Sequence, residues 1–259
     1  MYMTDYLEAG ILNTLKGTTL TAPSKVYIGL LLNDPTDTGA EGVEVNYTGY
    51  ARVPLSLGDI QETGNVVKVS NDTSLVYATT DKAIGSISHV ALYDALTGGN
   101  ALAYSKMATT MAIQTDEAPN IAEGDITLGL SFSASKDFKR KILNYFKGQS
   151  ITGMETYISL WSGDPDAGGA ELTGTGYERK KVEFGALEAL SSGATRMSNT
   201  QLISFDKPLS SWGIASYACL TNGLIGRDVS FIQELAVQKS VEKGVFIKFT
   251  PGNIRVSLN

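Results

Sequence analysis

The chain has 259 residues, 42% apolar and 19% charged, with a formal net charge of −6. No apolar run approaches the length needed to cross a bilayer, and Met1-Tyr2-Met3-Thr4-Asp5 lacks the basic start and apolar stretch of a secretory signal. A single cysteine, Cys219, excludes an intrachain disulfide and a Cys-cluster metal site.

The first predicted element is a short helix. Asp5 can cap it with Glu8 three residues on, the capping-box arrangement. Leu7, Ile11 and Leu15 line one face, and Gly17 can end the helix in a left-handed conformation. Residues 26–32 form a nearly continuous apolar run, as in a strand covered on both sides. The loop Asp34-Pro35-Thr36-Asp37-Thr38-Gly39-Ala40-Glu41 then leads to Gly49-Tyr50-Ala51-Arg52. Residues 52–57 alternate as a half-buried strand does, and residues 66–69 and 87–93 read as further strands. Thr97-Gly98-Gly99-Asn100 has the composition of a tight hairpin turn, from which residues 101–104 return. Residues 125–132 close this first half.

The pattern then starts again. Ile142-Leu143-Asn144 and Lys147-Gly148 copy Ile11-Leu12-Asn13 and Lys16-Gly17, with Phe138, Ile142 and Phe146 on the helix face. Lys136, Lys139, Arg140 and Lys141 give this second helix a basic side, which is expected to be a solvated face. Tyr157-Ile158-Ser159-Leu160-Trp161 and Asp164-Pro165 answer Tyr27-Ile28-Gly29-Leu30-Leu31 and Asp34-Pro35. Gly169-Ala170-Glu171 answers Gly39-Ala40-Glu41, and Gly176-Tyr177-Glu178-Arg179 answers Gly49 to Arg52. Further on, Ser198-Asn199 matches Ser70-Asn71, Gly213 and Leu220 match Gly85 and Leu92, and Lys243-Gly244 pairs with Glu123-Gly124. Residues 179–184 and 245–249 are the corresponding strands, the latter closing the second half. A period this long is unlike a solenoid. It predicts a mainly β protein of two tandem antiparallel β-sandwich domains, 1–134 and 135–259, each with a short N-terminal helix.

The charge divides unevenly. Residues 1–134 hold 6 Lys+Arg against 15 Asp+Glu, a net −9, and residues 135–259 hold 15 against 12, a net +3. Nucleic-acid binding requires a concentrated basic surface and is not expected. The asymmetry suggests an assembly in which the acidic half faces outward or meets a basic neighbour.

A duplication is an internal control, since chemistry the fold needs should occur in both copies. The carboxylates of the two Asp-Pro loops (Asp34, Asp37 and Glu41; Asp164, Asp166 and Glu171) could gather around calcium. Their spacing changes between copies, which favours a turn in which Asp caps backbone N–H groups. Tyr50 with Arg52, and Tyr177 with Arg179, sit two apart on one strand face, where the Arg can pair with Glu41 or Glu171 as a structural clamp. His89 is the only histidine and Tyr217 replaces it in the second copy, while Cys219 aligns with Ala91 in an apolar stretch. Trp161 and Trp212 align with Leu31 and Ile84, so both are expected in the core or an interface. No catalytic residue, cofactor or metal is expected, and no enzyme motif is present.

Each half resembles a family of tailed-bacteriophage proteins called tail-fibre-like. The first copy carries the resemblance in Leu30 to Pro35, Gly49-Tyr50-Ala51-Arg52, Gly85-Ser86-Ile87-Ser88-His89-Val90-Ala91-Leu92-Tyr93-Asp94, Gly98-Gly99-Asn100 and Glu123-Gly124-Asp125. The second copy keeps the early motifs and departs later. The resemblance implies a non-enzymatic virion structural protein of a tailed phage or phage-derived particle, in the tail or baseplate or tail-fibre-like. It would be made in the host cytoplasm without a signal peptide. Capsid decoration or head fibre, and a carbohydrate-binding attachment module, are the alternatives. Other virion proteins and further copies of the chain are the expected partners, with a host surface glycan under the attachment reading and no membrane insertion.

Overall fold

The computed structural model describes residues 1–258. In the first half, β1 (Tyr2–Met3) precedes α1 (Asp5–Thr14), β2 (Tyr27–Leu31), β3 (Val53–Pro54), β4 (Gln61–Thr63) and β5 (Val66–Ser70). Then come β6 (Leu75–Val76), β7 (Gly85–Tyr93), β8 (Ala101–Ile113), β9 (Asn120–Ile121) and β10 (Thr127–Leu130). The second half repeats this order with α2 (Lys136–Tyr145), β11 (Thr156–Trp161), β12 (Lys180–Lys181), β13 (Glu188–Ala189) and β14 (Thr195–Ser198). It ends with β15 (Ile203–Ser204), β16 (Gly213–Asn222), β17 (Val229–Val241), β18 (Lys248–Phe249) and β19 (Arg255–Leu258). All ladders between these strands are antiparallel.

The sheets correspond. The first half has orders β1-β8-β7-β2-β3, β10-β5-β4 and β6-β9; the second has β12-β11-β16-β17, β13-β14-β19 and β15-β18. The missing counterpart of β1 is supplied by the linker, where Ala134 bridges Phe231 as Met3 pairs with Ala103. The chain is thus mainly β, two tandem antiparallel sandwiches with one short helix each. Among the described residues no helix is long and apolar enough to cross a membrane.

The helices are exchanged. α1 packs on β8 of its own half and on β14 and β19 of the second, while α2 packs on its own β17 and on β5 of the first. Leu7, Ile11, Leu12, Phe138, Ile142 and Leu143 are all essentially inaccessible, in one apolar core running through both halves. Burial of this kind stabilises by about 1.5–3 kcal/mol per large side chain. Between the helices, Leu20 and Ile151 each donate a backbone N–H to the other's carbonyl at 2.9 Å. The two residues are repeat equivalents, so this antiparallel pair marks a local twofold relation. The lysines repeat for the same reason: Lys16 donates to the Gly185 carbonyl at 3.0 Å, and Lys147 to the Gly58 carbonyl at 2.8 Å. The chain returns so closely here that a Cβ on Gly153 would overlap the Gly17 carbonyl and approach Thr18 N to 2.8 Å.

Several expectations are corrected. Thr4, not Asp5, occupies the N-cap of α1, and its hydroxyl donates to the Ala101 carbonyl at 2.6 Å. Glu8 does not reach back to close a capping box, because its carboxylate crosses to the second half and accepts Thr195 N–H at 2.8 Å. The basic side of α2 is only partly solvated: Lys141 is exposed, but Lys139 is 2% exposed and donates to the Asn65 carbonyl at 2.7 Å, and the half-buried Arg140 pairs with Glu62 at 2.6 Å. The strands expected at 52–57 and 179–184 shrink to two-residue edge ladders; Pro54 is tolerated in the first because its missing N–H faces away from the sheet, and Leu55 N–H beyond it still reaches the Val26 carbonyl at 2.8 Å. The expected tight hairpin belongs to a wider connection, residues 94–100, closed by Asp94 accepting Asn100 N–H at 2.7 Å.

The closing strand of the second half is β19, not residues 245–249. A buried asparagine fixes this register. Asn71 accepts Ile126 N–H at 2.8 Å while its own carbonyl takes Gly124 N–H, and Asn199 does the same with Ile254 and Gly252. Gly252 is therefore the counterpart of Gly124, both with positive φ, and the Gly shared by residues 124 and 244 is a coincidence of spacing.

Glu8 and Lys139 are repeat equivalents, an acid and a base that each cross to the hairpin of the opposite half. Burial, with Asp5 and Asp37 nearby, raises the Glu8 pKa from 4.5 to about 7, against the lowering effect of Thr195. Glu8 Oε1 has no hydrogen-bond partner among the described residues. A folded-state pKa above the unfolded one gives stability that is full below about pH 4.5 and is lost as pH rises through about 7. Glu8→Gln is therefore expected to melt above the wild type at pH 8, by about 2–4 °C per kcal/mol recovered, with the advantage gone at pH 4.5. Thermal melts across that range check it.

Candidate functional site

The feature both halves share most closely is a clamp that fixes the tip of each long hairpin. In the first half, Tyr50 OH accepts Leu30 N–H at 3.0 Å and donates to Glu44 Oε1 at 2.7 Å. Arg52 grips the same carboxylate through Nε and Nη2, the latter at 2.9 Å, and its Nη1 donates to the carbonyls of Ala95 (2.9 Å) and Gly98 (2.7 Å). The guanidinium lies 3.3 Å above the Tyr93 ring. In the second half, Tyr177 OH accepts Leu160 N–H at 3.0 Å and donates to Glu171 Oε1 at 2.8 Å. Arg179 takes Glu171 at 2.8 and 2.6 Å, and donates to the carbonyls of Gly223 and Gly226.

The acidic member in the first half is Glu44, and Glu41 is not part of the clamp. The inserted residues lie before Glu44 inside the loop, so only the spacing of six to the tyrosine, shared by Glu44–Tyr50 and Glu171–Tyr177, locates it. Gly29 makes room, since a Cβ there would meet Glu44 Oε1 at 2.8 Å. Burial, together with the bond to the carboxylate, drives the hydroxyls of Tyr50 and Tyr177 far above their ordinary pKa. The Glu171 hydrogen bonds raise Arg179. In each clamp one carboxylate is shared by a tyrosine hydroxyl and a guanidinium that also holds the carbonyls of the hairpin tip.

The Asp-Pro loops pack beside these tips. Asp34 and Asp164 each accept the N–H two residues on at 2.9 Å, the turn arrangement expected of them. The remaining carboxylates disperse: Asp37 accepts Tyr104 OH at 2.6 Å, Asp166 accepts Lys136 N–H at the start of α2 at 2.9 Å, and Glu171 belongs to the clamp. Glu41 is exposed. Among the described residues no three metal-ligating side chains gather.

His89 is buried with Nε2 3.8 Å from Asp34 and Nδ1 2.8 Å from Ser88 Oγ. The Ser88 hydroxyl donates to the Leu32 carbonyl at 2.9 Å, so its proton is already committed and His89 is the donor between them. Cys219, Trp161 and Trp212 are buried, and burial pushes the Cys219 thiol well above its usual pKa. A mostly apolar cleft of about 570 Å³ opens in the second half between Ile158, Phe231, Leu235, Phe249 and Val256. The large apolar side chains exposed at the clamped end are Leu96 in the first tip and Leu224 and Ile225 in the second, Ile225 at 87%, beside the exposed Thr97, Asn100 and Arg227.

A family described as podophage GP4 fiber I protein gp80 matches this chain twice, over residues 2–129 and again over 133–257, and the chain belongs to that family. Comparison with curated proteins gives no significant match.

Arg179→Met leaves Glu171 without its cation and is expected to cost about 3–5 kcal/mol of stability by chemical denaturation. The double variant Arg179→Met/Glu171→Gln removes both charges and is expected to cost less than the single one. Amide exchange in residues 222–228 should quicken in both.

Proposed function

We propose, from its place in this fibre family, that the protein is a non-enzymatic structural component of a tailed-phage or phage-derived virion, built into the tail or baseplate or serving as a fibre-like element. The tandem family match over nearly the whole chain carries this reading. The clamps support it, because their polar atoms are committed to holding the hairpin tips. The exchanged helices support it too, since they tie two sandwiches into one body suited to bearing load between neighbours. The protein is made in the host cytoplasm and then occupies the particle, repeated by its symmetry and in contact with other virion proteins.

Labelling intact particles with an antibody against the chain and imaging them tests the reading. Signal at the tail is the expected result. Signal confined to the capsid would replace the tail assignment with decoration, and no signal on particles would remove the virion role.

A further inference from the structure

The two halves diverge most at the end of each long hairpin remote from the clamped tip. Backbone contacts there superpose residue for residue. Asp116 N–H donates to the Thr80 carbonyl at 3.0 Å and Gly244 N–H to the Pro208 carbonyl at 3.0 Å. Tyr77 N–H donates to Pro119 and Phe205 N–H to Ile247, also at 3.0 Å. Asp116 and Gly244 both have positive φ, +65° and +88°. One turn thus carries two chemistries.

In the first half this end is acidic. Asp81, Asp116 and Glu117 are all exposed, and among the described residues none is ion-paired. Asp81 is held in place by Thr48, whose hydroxyl donates to it at 2.6 Å. In the second half the equivalents of Asp81, Glu117 and Ala118 are Leu209, Val245 and Phe246, and those of Thr79 and Asn120 are Lys207 and Lys248. Leu209 is 62% and Phe246 55% exposed. Lys207 and Lys248 place their ammonium groups 6.0 and 5.3 Å from the centroid of the half-exposed Phe246 ring. No carboxylate of this chain pairs with either lysine among the described residues.

We propose that the Phe246, Leu209, Lys207 and Lys248 patch docks the acidic Asp81, Asp116 and Glu117 end of a second copy of this chain, joining copies head to tail. An exposed aromatic flanked by unpaired cations matches a surface with unpaired carboxylates in sign and in its need to cover apolar area. The second copy is the occupant because the complementary surface is on the chain itself, at the equivalent place in the other half. Four other bases of the second half, Lys136, Lys139, Arg140 and Lys147, are already engaged across the junction. One such contact leaves an acidic end and a basic end free, so further copies can add head to tail, closing into a ring or continuing as a filament. This goes beyond the virion reading and is a property of the isolated chain, so it stands or falls independently of particle labelling.

Sedimentation velocity of the purified full chain tests it. Association is expected at about 0.1 M salt and should weaken at about 1 M, where the screening length falls from about 10 to about 3 Å. Lys207→Glu/Lys248→Glu makes both ends acidic and Asp81→Lys/Glu117→Lys makes both basic, and each variant alone should associate at least about tenfold more weakly. Mixing the two variants should restore a mixed assembly. Phe246→Ser, which leaves the charges in place, should also weaken association. Circular dichroism melts confirm that each variant is folded. A wild type that stays monomeric, an association indifferent to salt and to both reversals, or a mixture that fails to recombine would each overturn the proposal.

Discussion

The structure depends on the exchange of helices between its halves. Each helix has apolar residues committed to two sheets that belong to different copies of the repeat. Ile11 and Leu12 of α1 and Ile142 and Leu143 of α2 are fully buried because the opposite half covers them. A helix of this length has little stability of its own and takes it from the faces it buries. Removing either half would open the helix layer of the other. The polar contacts follow the same plan, with Lys16 and Lys147 tying each helix end to the other half and Glu8 and Lys139 crossing at equivalent positions. Part of the charge asymmetry between the halves is settled here, where the basic face of α2 meets Glu62 of the acidic half.

The duplication separates what the fold requires from what one copy adds. The Tyr–Glu–Arg clamp and the buried asparagine occur twice with nearly the same distances, so both serve the fold. The clamp fixes the hairpin tips beside the Asp-Pro loops, and that rigidity is what a surface presented to neighbours needs. Features found once are the buried His89 beside Asp34, the apolar cleft of the second half and the opposite chemistry of the far hairpin ends. The last of these is the only one in which the difference between copies is itself complementary. Under the docking proposed above, it would convert an internal duplication into a directional building block.

Much of the fold was legible in the sequence because its signals are local. The repeated helix face, the residues 26–32 run and the paired Tyr-x-Arg motifs each report a nearby environment. The exchange was not legible, because Leu7 and Ile11 read the same whichever sheet covers them. Lys139 looked like a solvated base for the same reason: its partner, the Asn65 carbonyl, lies in the other copy. Glu41 resembles the clamp acid because Gly-Ala-Glu matches as letters, although the spacing of six to Tyr50 points to Glu44. The closing strand was misplaced because a shared Gly outweighed the asparagine, whose register with Gly124 and Gly252 is a tertiary contact.

Calorimetry of the intact chain at neutral pH tests the central claim most directly. If the exchanged helices make the two halves one cooperative body, a single transition is expected, with equal calorimetric and van't Hoff enthalpies. Two resolved transitions, each with about half of the total enthalpy, would show that the halves unfold separately and would contradict the account.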